Sequence, residues 1–246
     1  MERINKVAAI TLLFWIMKII ATTLGETLGD FFSMTMNFGY SATLVAMLIF
    51  FLLALAIQLS TKKYIPFFYW LVIIATTTLG TEISDFIDRS LHMGYAMGSL
   101  LLFTCLIAAL ILWKKRFKNL EVFPIIDKDK EIYYWVAILF SNSLGTAFGD
   151  FLSDNMGLSY SEGALITAAI ILLVVLLHYF TKINHVVLFW IAFVFTRPFG
   201  ATFGDFLTKP LTKGGLDLGT LNASLVCAFI IGVLILVSHK RQPKIA

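Results

Sequence analysis

One seven-residue pattern is written four times along the chain, and it limits the fold more than any other feature. The copies are Gly25-Glu26-Thr27-Leu28-Gly29-Asp30-Phe31, Gly80-Thr81-Glu82-Ile83-Ser84-Asp85-Phe86, Gly145-Thr146-Ala147-Phe148-Gly149-Asp150-Phe151 and Gly200-Ala201-Thr202-Phe203-Gly204-Asp205-Phe206. Their shared form is Gly-x-x-x-(Gly/Ser)-Asp-Phe. Asp30 and Asp85 are 55 residues apart, as are Asp150 and Asp205, while Asp85 and Asp150 are separated by 65. Corresponding positions in the two halves are therefore offset by 120 residues at both pairs. Equal offsets imply two nested duplications, and a repeated chain must fold as a repeated architecture.

Composition names the solvent. Hydrophobic residues make up 59% of the 246 and charged residues only 14%, against about 25% charged in a soluble domain. Apolar runs of about 20 residues, each able to cross a hydrocarbon core about 30 Å thick, recur throughout. Eight spans are predicted, at 7–32, 40–60, 65–88, 95–113, 132–152, 160–180, 185–207 and 218–238. Each repeat is then a two-helix hairpin whose odd helix ends in the motif. The expected fold is an all-α integral membrane protein of eight transmembrane helices. It is built from four two-helix repeats in two homologous halves, with all repeats in the same orientation around a pseudo-symmetry axis. The halves are 1–113 and 132–246, joined by a cytoplasmic linker at 114–131. No small-residue cleavage site follows the N-terminal span, so a removed signal peptide is not expected.

The basic residues give the orientation. Fourteen of them cluster at one set of helix ends, including Arg3, Lys6, Lys62, Lys63, Lys114 to Arg116, Lys182, Lys240, Arg241 and Lys244, while only Arg89, Lys209 and Lys213 lie at the other. The positive-inside rule places both termini in the cytoplasm, with the bacterial inner membrane as the expected location. The run Asp127-Lys128-Asp129-Lys130-Glu131 reads as a solvated surface segment. A net charge of +4 reflects this basic face and its contact with anionic lipid; it does not point to nucleic acid. Cys105 and Cys227 sit in apolar helices as small buried hydrophobes. The four histidines, His92, His178, His185 and His239, lie at helix ends without metal-binding spacing.

Acids are distributed the other way, in the outer half and outer turns. Glycines at i and i+4 share a helix face and let backbones approach. The aspartate that follows the second small residue lies about 100° around the helix from it. Ionisable groups at membrane depth face a bundle interior or an aqueous cavity, so a ring of carboxylates on helices one, three, five and seven is expected. A duller reading for each Asp is a helix-end residue satisfying backbone donors. Lys18, two turns before Glu26, is either an internal counter-ion to Glu26 or a side chain that snorkels to the cytoplasmic interface. Arg197 stands where the other repeats have Thr22, Thr77 and Asn142, and is expected to pair with Asp205.

At these residues the chain resembles a bacterial family of multi-spanning proteins defined by a membrane-protein repeat of unknown function. That resemblance covers essentially the whole chain and implies a repeat-built inner-membrane protein. A second resemblance is chemical: Glu26-Thr27-Leu28-Gly29-Asp30 is similar to the Glu-x-Gly-Asp motifs of small cation exchangers and manganese exporters. It implies carboxylates from repeated helices around a divalent cation.

No phosphate-cradling loop, zinc spacing or nucleophile elbow is present, so neither enzyme chemistry nor a bound cofactor is expected. The leading expectation is a secondary transporter of a divalent metal cation, a proton-coupled exporter of manganese or a similar hard metal. Carboxylates, hydroxyls and carbonyls suit such ions. Glu26, Asp30, Glu82, Asp85, Asp150 and Asp205 form the expected ionic core, with Thr22, Thr77 and Asn142 as neutral oxygen ligands. The first-half acids Glu26, Asp30, Glu82 and Asp85 are expected to hold the ion, and Asp205 to be held by Arg197. The expected partners are the metal ion, protons and the bilayer, and a homodimer is compatible with the pattern. The alternatives are a pseudo-fourfold cation channel and a non-transporting scaffold or sensor that binds a partner through the linker.

Overall fold

The computed structural model describes residues 5–240, without the Lys240 side chain. Glu2, Arg3, Arg241 and Lys244, which entered the charge reading, lie outside the described residues. Eight long α-helices account for most of the rest: α1 (Leu12–Asp30), α2 (Tyr40–Ser60), α3 (Pro66–Asp85), α4 (Tyr95–Phe117), α5 (Lys128–Asp150), α6 (Tyr160–Phe180), α7 (His185–Thr208) and α8 (Thr220–Lys240). No strand is present among the described residues. The helix starts are written locally. Thr11 and Asn184 cap α1 and α7 through their side chains, Pro66 opens α3, and Ser159 with Glu162 forms a capping box on α6. Each of these satisfies or removes a backbone donor that a helix N-terminus leaves free. Gly39 and Gly94, at φ +73° and +74°, make the turns into α2 and α4, a conformation that a Cβ opposes.

Seven of the helices are long and apolar enough to cross a membrane. The exception is α5, which is 23 residues long but carries Ser141, Asn142, Ser143 and Thr146, all buried against neighbouring helices. Between 61% and 72% of the apolar window of α1, α3 and α7 is buried inside the protein, against 22% to 28% in α2, α4, α6 and α8. Odd helices thus form the interior and even helices the exposed, apolar perimeter.

The packing order follows the repeats. α1 packs on α3, α3 on α5, α5 on α7, and α7 back on α1. Each even helix lies against the next odd one: α2 on α3, α4 on α5, α6 on α7, and α8 on α1. The first motif glycine makes these approaches possible. A Cβ added at Gly25 would overlap Thr77, at Gly80 it would meet Asn142, at Gly145 Arg197, and at Gly200 Thr22. Thr22, Thr77, Asn142 and Arg197 occupy the same place in their repeats, eight residues before the aspartate. Each first glycine therefore receives the same position of the next odd helix, and the last returns to the first.

At the end opposite the motif aspartates the interior is aromatic. Trp70, Trp113, Trp135, Tyr69, Tyr134 and Phe193 are all nearly or fully buried there, and the Tyr69 and Tyr134 hydroxyls are hydrogen-bonded to each other. The N-terminal segment and the linker lie over this layer. Lys6 N–H donates to Ile125 O and Tyr64 N–H to Asn5 O, while Val7, Val122 and Ile125 are buried. Residues 127–129 of the charged run are exposed, as the sequence implies, but Glu131 is not. It is fully buried, ion-paired with Lys6 and bonded to Gln58 Nε2 at 2.8 Å. The run straddles the start of α5, and the helix turns its last residue inward.

Candidate functional site

All four motif aspartates are buried, with exposures of 2% for Asp30 and Asp85, 5% for Asp150 and 6% for Asp205. None faces the perimeter. They are the last residues of α1, α3 and α5 and lie near the end of α7. In the first three repeats the helix widens to a π-turn immediately after the aspartate, over Phe31–Thr35, Phe86–Ser90 and Phe151–Asn155. Such π-turns concentrate at functional positions. The fourth repeat stays α-helical to Thr208.

Two basic side chains bridge the aspartates in pairs. Arg89 Nε lies 2.9 Å from Asp85 Oδ1, and its Nη2 lies 3.5 Å from Asp150 Oδ2. Lys209 Nζ lies 2.6 Å from Asp30 Oδ2 and 3.1 Å from Asp205 Oδ1. Both bases stand four residues after the aspartate of their own repeat and reach the aspartate of the next. Burial disfavours the Lys209 charge, but Asp205 and Asp30 outweigh it and hold the ammonium above the ordinary lysine range. The signal was present in the sequence as Asp85-x-x-x-Arg89 and Asp205-x-x-x-Lys209. The equivalent residues in the first and third repeats are Met34 and Asp154.

Arg197 does not pair with Asp205. Its Nη2 donates to Glu26 Oε2 at 2.8 Å and to Thr81 Oγ1 at 2.6 Å. Arg197 faces α1 because the residue at its place packs on the preceding repeat's glycine, here Gly145, and the side chain then runs across the ring interior. Lys18 adopts neither of its two expected roles. It is fully buried, donates to Asn142 Oδ1 at 2.8 Å, and lies 4.1 Å from the centre of the Phe193 ring. Asn142 in turn donates to Thr76 Oγ1 at 3.1 Å. Thr22 Oγ1 donates to Ile19 O and Thr196 O, and Thr77 Oγ1 to Ile74 O and Ala21 O. These three expected neutral ligands instead bond across and within the odd helices.

The carboxylates are also grouped differently from the first-half set. Glu26, Asp30 and Asp205 each offer an oxygen within 4.8 Å of the other two. Asp85 and Asp150 meet at Arg89. Glu82 is fully buried, and neither of its carboxylate oxygens has a hydrogen-bond partner among the described residues. It reaches the glycine that precedes Asp30, since a Cβ added at Gly29 would be 3.0 Å from Glu82 Oε1. Asp88, another buried acid, accepts from Ser84 Oγ at 3.3 Å. Three carboxylate oxygens at this separation match a hard divalent cation, whose bonds of about 2.1–2.5 Å set ligands across the ion up to about 5 Å apart.

The profile of a family described as Repeat of Unknown Function (DUF347) matches the chain four times, at residues 13–64, 68–118, 133–184 and 188–243. The chain belongs to this family. Each match holds one odd helix, one motif and the even helix that follows, so the repeat unit is the two-helix hairpin. No curated protein and no solved structure matches the chain.

Proposed function

We propose that this repeat protein is a secondary transporter of a divalent metal cation, a proton-coupled exporter of manganese or a similar hard metal. The observation that carries the reading is the Glu26, Asp30 and Asp205 group, three buried carboxylates within 4.8 Å of one another in the interior of a membrane-spanning bundle. The charge count supports it. Apart from the mutually neutralising Lys6 and Glu131 pair at the other end, seven buried acids, Glu26, Asp30, Glu82, Asp85, Asp88, Asp150 and Asp205, accompany four internal bases, Lys18, Arg89, Arg197 and Lys209. Three negative charges remain if all are ionised, which one divalent cation and one proton would balance. Buried charge that lacks such a balance is strongly disfavoured. The ligands are oxygens, which suit Mn²⁺, Mg²⁺ and Ca²⁺.

In this reading α5 is the eighth span, its polar residues tolerated because neighbouring helices cover them. The four hairpins share one orientation around an axis through the ring, the termini are cytoplasmic, and the membrane is the bacterial inner membrane. Repeats of this parallel kind occur in transporters and around pores. The ion pairs through Arg89, Arg197 and Lys209 across the ring weigh against a permanently open channel.

The test is Mn²⁺ flux in proteoliposomes with a proton-sensitive dye inside. Slow, saturable flux with a proton signature is expected. Asp30→Asn should remove it while the purified protein remains folded, because Lys209 keeps Asp205 as a partner. Fast current without a proton signature would establish the channel instead, and no flux of any divalent cation would leave the scaffold.

A further inference from the structure

We propose that Lys209 is a tethered stand-in for the transported ion: its ammonium occupies the seat between Asp30 and Asp205, and a divalent cation binds by displacing it. The inference rests on the transport reading above and adds the event that opens the site.

The two bridging bases are built for different tasks. Arg89 is held from several sides. It pairs with Asp85 and Asp150, donates to Tyr40 Oη at 3.4 Å, and lies 5.7 Å from the ring centres of both Tyr40 and Tyr95. A planar guanidinium locked between two carboxylates and two aromatic rings is a fixed strut. Among the described residues, the Lys209 ammonium has only its two carboxylates as partners. A lysine ammonium is a compact point charge on a flexible stem, the kind of group that another cation replaces on equal terms.

Position favours side-chain exchange. The Lys209 backbone is anchored: its N–H donates to Asp205 O at 2.8 Å, and its carbonyl accepts from Asp217 N–H at 3.0 Å. Leu216 and Leu218 bond back to Phe206 and Leu207. The turn after α7 is thereby held in place and the four-carbon stem is free to pivot. The side chain is 22% exposed, against 3% for Asp30, so it reaches the protein surface while the acid it pairs with lies beneath. Pivoting away releases Asp30 and Asp205, two of the three acids of the Glu26, Asp30 and Asp205 group. The third acid, Glu26, stays ordered by Arg197 and Thr81.

This arrangement has a transport consequence. After the metal leaves, the ammonium reseats, so Asp30 and Asp205 are never bare inside the membrane. The empty carrier can then return with a covalently attached cation in the ion's place. A carrier lacking the lysine would hold its metal longer and turn over more slowly.

The experiment uses the full chain in lipid nanodiscs, with Mn²⁺ binding followed by the loss of the free-ion paramagnetic resonance signal. Lys209→Met should bind Mn²⁺ at least about tenfold more tightly than the wild type, a difference of about 1.4 kcal/mol, and should slow Mn²⁺ counterflow. Arg89→Met should not tighten binding. Because Lys209→Met leaves two carboxylates unpartnered, a second measurement uses the unaltered protein. Saturating Mn²⁺ should increase acetylation of Lys209 by a water-soluble amine reagent several-fold, read by mass spectrometry. Binding by the wild type that is unchanged or weaker in folded Lys209→Met overturns the proposal and leaves the transport reading standing. So does a Lys209 that stays protected at saturating Mn²⁺. Absence of Mn²⁺ binding in both folded proteins, by contrast, removes the metal site itself.

Discussion

At the scale of single residues, the interior is governed by which cation meets which carboxylate. Arg197 and Glu26 form the most enclosed of these pairs, at 0% and 5% side-chain exposure. Removing one partner leaves a buried charge without its counter-ion, which costs about 3–5 kcal/mol. Arg197→Gln and Glu26→Gln should each lower the unfolding transition in detergent, and the double variant should lose much less than the sum. Asp205→Asn should rescue Arg197→Gln less than Glu26→Gln does, since the guanidinium bonds Glu26 and not Asp205; equal rescue in double-variant cycles would contradict the pairing. Lys18 offers a sharper contrast. Its hydrogen-bond acceptor is Asn142, so Asn142→Leu should destabilise by about 3 kcal/mol and Lys18→Met should restore most of the loss. Lys18→Met alone should be close to neutral, and a large loss would show that the ammonium has a further essential partner.

Among the helices, the first glycine of each motif decides how closely neighbours approach. A methyl at Gly200 would overlap the Thr22 side chain and lie 2.9 Å from its backbone carbonyl carbon. Neither helix can yield without disturbing the rest of the ring. Overpacking of this kind costs about 1–3 kcal/mol, so Gly200→Ala should reduce both the yield of folded protein and its midpoint of thermal unfolding. Gly232 in α8 has nothing within 4 Å of an added Cβ, and Gly232→Ala should leave the midpoint unchanged. Equal behaviour of the two variants would mean that close approach is not what these glycines provide. The second small residue of the motif acts on the site itself. Gly29 and Gly204 lie against Glu82 and Glu26 respectively, so the same feature that packs the helices also makes room for the acids.

Across the whole molecule, the two ends differ in kind. One is closed by aromatic side chains, the N-terminal segment and the linker; the other presents Arg89 and Lys209 over buried acids. The proposed cytoplasmic termini would turn the aromatic end inward and the acidic end outward. Single cysteines at Asn119 and Thr212, both exposed, should then be labelled from opposite sides of the membrane in intact and inverted vesicles. Thr212→Cys should react in intact cells with an impermeant reagent, and Asn119→Cys only after permeabilisation. The reverse result would invert the orientation, and labelling of both from one side would break the alternation of spans.

The sequence by itself determined the repeat, the helices and the class of residue at the site. Apolar runs and glycine-turn signals are local, and four copies of one motif show which helices share a role, so the eight helices and the burial of Asp30, Asp85, Asp150 and Asp205 were legible from residue order. The Lys6 and Glu131 contact, the partner of Lys18 and the destination of Arg197 were not. Each joins positions more than 120 residues apart, and a spacing rule along one helix carries no information about the neighbour that the side chain will meet. Bridging by Arg89 and Lys209 was half visible. The one-turn spacing to their own aspartates is in the sequence, but only the closing of α7 on α1 and the packing of α3 on α5 bring the second aspartate to each. The tertiary structure alone decided that the six expected acids divide into an arginine-bridged pair, a lysine-bridged pair joined by Glu26, and Glu82, which has no hydrogen-bond partner among the described residues. The reason is physical: ion pairs depend on distances of a few ångströms across helix interfaces, and those distances exist only once the ring has closed.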